Sequence, residues 1–322
     1  MGDANLIGIW THDNHGNLLD SLDVRLQRFN RVLDMFGAVV KRDSASLSDG
    51  NHVQAIFVAP EYYFSGPGKT PISAADHDNT LRQLMQLSTK YPNVLIVPGT
   101  IYYSRDLSDE NERQRWLRDL TKAKKTARDI KRSEIINQDI RLGSNNKIVP
   151  KLNQVHVNVM VGKPIRVLNN AYMLRNGQIL FFYEKTADFL EARGATPDKQ
   201  IFIPGNRSGD AQTWGSQFSL KFGLEICFDH CVGVLKRHNI PELNYHIVVS
   251  DWVNTATANF AMANKGYFIH ASTNYNQSSV YYNSNGTIFN LTSDRAYWKY
   301  HGILGGDSYL DLYSIVPPPL IK

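Results

Sequence analysis

Cysteine is nearly missing: 322 residues hold only Cys227 and Cys231, four positions apart. Two such thiols cannot staple a fold, so a disulfide framework is excluded and a reducing compartment is expected. Long apolar runs are missing too. No stretch approaches the ~20 apolar residues of a membrane-spanning helix. The N-terminus, MGDANLIGIW, lacks the positive charge and apolar core of a secretory signal. Leu6 stands where an N-myristoylation motif needs Ser or Thr. A cytoplasmic protein is therefore expected. No Pro/Gly/Ser-rich linker divides the chain, so 1–322 is read as one domain. Hydrophobic residues at 42% are enough for a sizeable core and exclude disorder. The net charge of +5 hints at an anionic partner such as nucleic acid or a membrane surface.

Strand-like and helix-like segments alternate through the first hundred residues, the mark of an α/β architecture. Strands are expected at Asn5–Trp10, Val53–Ala59 and Val94–Pro98. Between the first two, Leu22, Leu26, Phe29, Leu33 and Phe36 recur at the spacing of one helix face, with Arg25, Arg28 and Arg31 elsewhere on the wheel. A second helix carries Leu81, Leu84, Met85 and Ser88. From about 104 to 150 the chain turns polar, read as an inserted surface helix followed by a loop. Strands are expected at Gln154–Val161, Ile165–Leu174 and Ile179–Tyr183, the last two joined by an Asn176-Gly177 hairpin turn. Further strands are read at Phe218–Ile226, Tyr245–Ser250, Tyr267–Ser272 and Tyr309–Ile315. Helices are read at about Asp229–His238 and Ala256–Lys265, and a hairpin around Asn285-Gly286.

Three polar residues each follow an apolar strand: Glu61 after AIFVAP, Lys185 after ILFFYE and Cys227 after FSLKFGLEI. Strand ends are where an α/β sheet gathers side chains from distant parts of the chain. An acid, a lysine and a thiol so placed suit nucleophilic catalysis, because a thiol with its ordinary pKa of ~8.5 needs a base or a positive field to become a thiolate. Each also has a plain structural reading: a core cysteine, a loop acid, an edge-strand lysine. FSGPGKT ends like a phosphate-binding loop, but Tyr63 occupies the first glycine position and excludes it. The histidines form no recognisable zinc set, and Cys231 is read as structural.

FVAPEYYF, FFYEKTADF and GLEICFDH resemble, in order, the three signature segments of the nitrilase superfamily, the carbon-nitrogen hydrolases. IVVSDW and FIHASTN are similar to the two strand segments that follow. The resemblance spans nearly the whole chain. It implies a four-layer αββα sandwich, here with an inserted basic helix, and a Glu61-Lys185-Cys227 triad. In that triad Glu61 is the general base, Lys185 and the backbone N–H of Phe228 stabilise the oxyanion, and Cys227 forms a thioester. It implies no metal or organic cofactor, and a homodimer or higher homo-oligomer. The substrate is expected to be an amide, with N-carbamoyl compounds and nitriles as alternatives, and the CFD sequence leans toward the first two. A catalytically silent binding or assembly module is the rival reading. It is motivated by Thr186 in place of the usual His and by the second glutamate, for which Glu191 is off-spacing. Glu225 is the other candidate, since a strand's two-residue period puts it on the face of Cys227. Trp252 and Asn274 are candidates for the substrate pocket, although Trp252 equally fits a core.

Residues 113–132 hold nine Lys/Arg against Asp119 and Asp129, a local +7 within the chain's +5, so the remainder carries −2. The basicity belongs to the insertion. It is read first as a solvated face, and second as a nucleic-acid or membrane contact.

Overall fold

The computed structural model describes residues 6–12, 20–43, 53–106, 165–185, 200–202, 220–237, 242–304 and 308–316. β1 (Leu6–His12) is buried at every position, as are β2 (Ala55–Val58) and β3 (Val94–Val97). Such continuous apolar runs suit strands covered on both faces. β1 pairs in parallel with β2, and β2 with β3, the geometry that the crossovers through α1 (Leu22–Asp43) and α2 (Ala74–Ser88) require. α2 starts where Ser73 accepts a hydrogen bond from the N–H of Asp76, a serine cap on the first turn.

The first sheet continues with β4 (Thr100–Asp106), β5 (Ile165–Arg175), β6 (Gln178–Glu184) and β7 (Gln200–Phe202), the last three following 107–164 in sequence. Its main path runs β13-β14-β1-β2-β3-β5-β4, with β6 and β7 both paired to β5. β13 is Trp298–Ile303 and β14 is Ser308–Ser314. The second sheet has the order β12-β11-β10-β9-β8, from β8 (Phe222–Ile226), β9 (Leu243–Ser250), β10 (Met262–Ser272), β11 (Ser279–Ser284) and β12 (Thr287–Asn290). After β8 come two four-residue helices, α3 (Phe228–Cys231) and α4 (Val234–Arg237).

The strand period of two explains how the sheets meet. Ile7, Ile9, Ile56, Val58, Leu95 and Val97 of the first sheet share one buried cluster with Leu224, Ile226, Ile247, Val249 and Ile269 of the second. Their alternates, among them Trp10, Phe57, Ile96 and Leu312, pack with Leu26, Phe29, Leu33 and Phe36 of α1. The architecture is thus α/β, with two sheets face to face and helices on the outer face of the first. Each aliphatic side chain fully buried between the sheets contributes about 1.5–3 kcal/mol. On the outer face of β8, Leu235 of α4 lies where a Cβ on Gly223 would stand. Among the described residues, no helix is long and apolar enough to cross a membrane.

Several elements depart from the sequence reading. Ser104–Asp106 belongs to β4, so those three residues are strand rather than insertion. The rest of 104–150, with the 113–132 basic segment, lies outside the described residues, as does 154–161. The helix expected at Asp229–His238 is broken into α3 and α4, because Gly233 takes φ +65 and the chain turns there. The helix expected at Ala256–Lys265 is not formed. Only Thr257–Asn259 makes a 3-10 turn, and from Met262 the chain pairs with β9. Ala-rich helix propensity loses there to sheet pairing, with Lys265 (φ +61) at the irregularity between Met262 and Tyr267. Arg25 was placed off the apolar face of α1 but is 3% exposed. Its guanidinium donates to the carbonyls of Tyr63 and Ser65 at 3.0 and 2.7 Å, which satisfies a charge that burial otherwise penalises.

Candidate active site

β2 ends at Val58, and the N–H of Ala59 still bonds the carbonyl of Val97 at 2.8 Å before Pro60 stops the ladder. Glu61 follows in a tight turn, with Tyr62 at φ +58. The turn presses on Gly99, where a Cβ would stand 2.0 Å from the carbonyl oxygen of Pro60; with φ +84, that position admits only glycine. Arg25 holds the far side of the turn through Tyr63 and Ser65. Glu61 is therefore fixed from three directions, with 0% exposure.

Lys185 leaves the end of β6, its N–H donating to the carbonyl of Asn169 at 2.9 Å. Its Nζ lies 2.8 Å from Oε1 of Glu61 and is 2% exposed as a residue. The same oxygen accepts a hydrogen bond from Nδ2 of Asn169 at 2.8 Å. Asn169 thus grips both partners, the lysine through its backbone and the glutamate through its side chain. Sequence reasoning missed it, since an asparagine inside a strand carries no motif. The signal available was a polar pair, Asn169-Asn170, interrupting the apolar run of β5.

Cys227 comes one residue after β8, with φ +51 and ψ −108. Its N–H bonds the carbonyl of Val249 at 2.8 Å, and its thiol lies 3.7 Å from the carbonyl of Asp251. A nucleophile on a strained strand-to-helix turn is a known way of lifting a side chain clear of a sheet. Ser250 and Asp251, at the end of β9, join the two halves of the site. The carbonyl of Ser250 accepts the N–H of Glu61 at 3.4 Å, and that of Asp251 faces the thiol. Tyr183, two residues before Lys185, donates to Oδ2 of Asp229 at 2.9 Å, tying the lysine's strand to the cysteine's helix.

Among the described residues, seven non-glycine residues have positive φ. Asn176 and Asn285 sit in hairpin turns and Lys265 at the β10 irregularity. The other four, Tyr62, Lys69, Cys227 and Trp252, gather here. Lys69 pairs with Asp251, whose other oxygen accepts from Thr273 at 2.7 Å, and it lies 5.7 Å from the Tyr62 ring centroid. Trp252, next to Asp251, is 55% exposed. Conformations of this kind cost about 1–3 kcal/mol each and persist where the surroundings over-determine them.

Glu191 lies outside the described residues. Glu225 does not share the face of Cys227, because the strand period ends at Ile226 and Cys227 turns away. It bonds His230 and His246 on the outer face of β8 instead. Those three form the one group of His and carboxylate ligands close enough to hold a metal among the described residues. Asn274 caps the 3-10 turn Tyr275–Gln277, accepting from the N–H of Asn276 at 3.0 Å. Cys231 is buried, and burial followed by the negative charge of Glu225 pushes its thiol up to about 12.

No protein-family model matches the chain, and no curated protein does. Among solved structures it is similar to a glutamine-dependent NAD(+) synthetase from Cytophaga hutchinsonii, at 9% identity over 97% of this chain and 43% of that one, with a TM-score of 0.46. The glutamine-dependent NAD+ synthetase of Acinetobacter baumannii gives 10% identity over 99% and 48%, with a TM-score of 0.42. The NitFhit protein of C. elegans gives 11% over 98% and 62%, with a TM-score of 0.47. The chain therefore spans less than two thirds of each of these proteins.

Proposed function

We propose that the chain is a carbon-nitrogen hydrolase of the nitrilase type, built on an αββα sandwich, that cleaves an amide through a thioester on Cys227. The observation that carries this reading is the Glu61–Lys185 pair, 2.8 Å apart and almost wholly buried, with the N–H of Glu61 on the carbonyl of Ser250, one residue before the Asp251 carbonyl that faces the Cys227 thiol. A buried ion pair is a poor stabiliser, since apolar side chains of similar volume hold a core as well or better. Its presence at the convergence of three strand ends favours chemistry.

Glu61 takes the thiol proton of Cys227, and the thiolate attacks the carbonyl carbon of the amide. The oxyanion is stabilised by the Lys185 ammonium and the N–H of Phe228. The tetrahedral species collapses with cleavage of the C–N bond, and the amine leaves with the proton from Glu61. Water then gives a proton to Glu61 and attacks the thioester, and the second collapse releases the acid and returns the thiol. Asn169 holds Glu61 in line, and Tyr62, Trp252 and Lys69 border the space the substrate enters.

The test is ammonia or amine release from a panel of amides, N-carbamoyl compounds and nitriles, with Cys227→Ala as control. Turnover of amides lost in the variant supports the reading. In parallel, iodoacetamide at neutral pH should label Cys227 well ahead of Cys231, whose raised pKa makes it an inert reference in the same molecule. Equal labelling of the two, with no turnover, favours the catalytically silent scaffold.

A further inference from the structure

Glu225, His230 and His246 are each 0% exposed. Oε2 of Glu225 faces Nδ1 of His230 and Nε2 of His246, both at 2.9 Å, and Oε1 accepts the N–H of Leu235 at 2.7 Å. The other nitrogen of each ring faces a backbone amide: Ala256 N–H donates to Nε2 of His230 at 3.1 Å, and Ala261 N–H to Nδ1 of His246 at 3.2 Å. A backbone N–H can only donate, so those two ring nitrogens are bare acceptors. The ring protons therefore sit on Nδ1 of His230 and Nε2 of His246, both aimed at Glu225. The set is one carboxylate receiving three N–H groups from two neutral imidazoles and a backbone amide.

This bookkeeping argues against a metal. An ion among the three would displace both ring protons, and a neutral metal-bound imidazole carries its proton on its other nitrogen, where it normally donates to an acceptor. Here that proton would meet the amide hydrogens of Ala256 and Ala261.

The elements joined are the ones that frame the cysteine. Glu225 is on β8, two residues before Cys227, and His230 is on α3, three after it. Leu235 is on α4, His246 on β9, and Ala256 on the segment that carries Trp252. From that same segment Nδ2 of Asn259 donates to the carbonyls of His230 and Cys231 at 2.8 and 3.0 Å. The helical turn itself closes with the N–H of His230 on the carbonyl of Cys227 at 3.0 Å.

We propose that Glu225, His230 and His246 are positioning residues for Cys227, a buried hydrogen-bond network that over-determines the strained Cys227–Phe228 turn and anchors the segment bearing Trp252. The proposal rests on the reading of Cys227 as nucleophile. His230→Leu removes the ring donor, Glu225→Gln replaces the shared acceptor, and His230→Asn keeps a short amide donor toward Glu225. The expected result is that His230→Leu and Glu225→Gln fold cooperatively yet alkylate at Cys227 at least 10-fold more slowly. Their kcat on the best amide should fall about 100-fold, with KM changed less than 3-fold, as a displacement of the reacting group near 1 Å does. His230→Asn should recover most of both losses. Wild-type alkylation and kcat in His230→Leu and Glu225→Gln would overturn the proposal. So would failure of His230→Asn to improve on His230→Leu, or a stoichiometric rise in melting temperature with zinc that Glu225→Gln abolishes. If Glu225→Gln does not fold, the two His230 variants decide alone. Failure of the hydrolase reading looks different: wild-type protein releases nothing from any amide, while the alkylation series still follows the network.

Discussion

Replacing Glu61 by Gln keeps the side chain's shape but removes the carboxylate charge that the buried Lys185 ammonium faces at 2.8 Å. Both groups are almost fully out of water and 2.8 Å apart, so the pair falls in the class where removing one partner costs about 3–5 kcal/mol. The entropy of unfolding is about 2.1 cal/mol/K per residue, which for 322 residues is about 0.7 kcal/mol/K. Glu61→Gln should therefore lower the melting temperature by about 4–7 °C. Lys185→Met, which removes the ammonium charge from beside the carboxylate instead, should do the same. The double variant removes both charges at once and should lie well above the sum of the two losses, within a few degrees of wild type. The assay is calorimetry of the four proteins at pH 7, with turnover measured alongside. The double variant should regain stability and stay inactive, which separates the pair's catalytic role from its structural cost. Strictly additive losses, with the double variant lowest of all, would refute the reasoning, because they would mean that the two charges do not depend on each other.

Other consequences are equally direct. Cys227→Ala should abolish amide turnover while leaving the melting temperature within a few degrees of wild type; an unchanged kcat contradicts the mechanism. Asn169→Ala removes a charge-assisted hydrogen bond of about 1.5–3 kcal/mol from Glu61 and should cost about 10- to 100-fold in kcat/KM; no change would mean that Glu61 is held without it. Gly99→Ala should unfold at lower denaturant, since both φ +84 and the contact with Pro60 oppose a side chain, and an unchanged urea midpoint contradicts the geometry. His270 is brought down to about 3, chiefly by its burial. The unfolded chain takes up that proton first, so the stability is complete above about pH 6.5 and drains away as pH falls toward 3. Burial alone would raise Glu225, but hydrogen bonds from His230 and His246 outweigh it and bring the group to about 2, which extends the same trend from 4.5 downward. Urea midpoints that stay flat between pH 7 and 4 contradict the His270 assignment, and midpoints that stay flat from pH 4.5 down to 2.5 contradict that of Glu225.

What the sequence disclosed depended on how local the cause was. The stripe Leu26-Phe29-Leu33-Phe36 and the run AIFV declare themselves because burial on a helix or strand face leaves a period in the chain. Asn176-Gly177 and Asn285-Gly286 declare themselves because positive φ restricts the residue types. Ala256–Lys265 misled, because its preference for helix was overridden by pairing with β9, a partner distant from any local window. At the site, Glu61, Lys185 and Cys227 were visible as polar residues ending apolar strands. Arg25 and Asn169, which hold their surroundings, were not, and of the Glu225–His230–His246 network only Glu225 stood out. Their roles arise from contacts across 38 residues for Arg25 to Tyr63 and 108 for Asn169 to Glu61, and no spacing rule encodes those. The face expected for Glu225 changed for a related reason: a strand period predicts a face only while the strand lasts, and this one ends at Ile226.

The central claim is a covalent acyl group on Cys227, and intact-protein mass spectrometry of an acid-quenched reaction tests it most directly. During steady-state turnover of a slow amide, the wild-type chain should gain the mass of one acyl group, traced by digestion to the peptide containing Cys227 and discharged by hydroxylamine. The adduct should vanish in Cys227→Ala and accumulate in variants that slow attack by water. Amide turnover with no adduct at any quench time, or an adduct that persists in Cys227→Ala, would contradict the account.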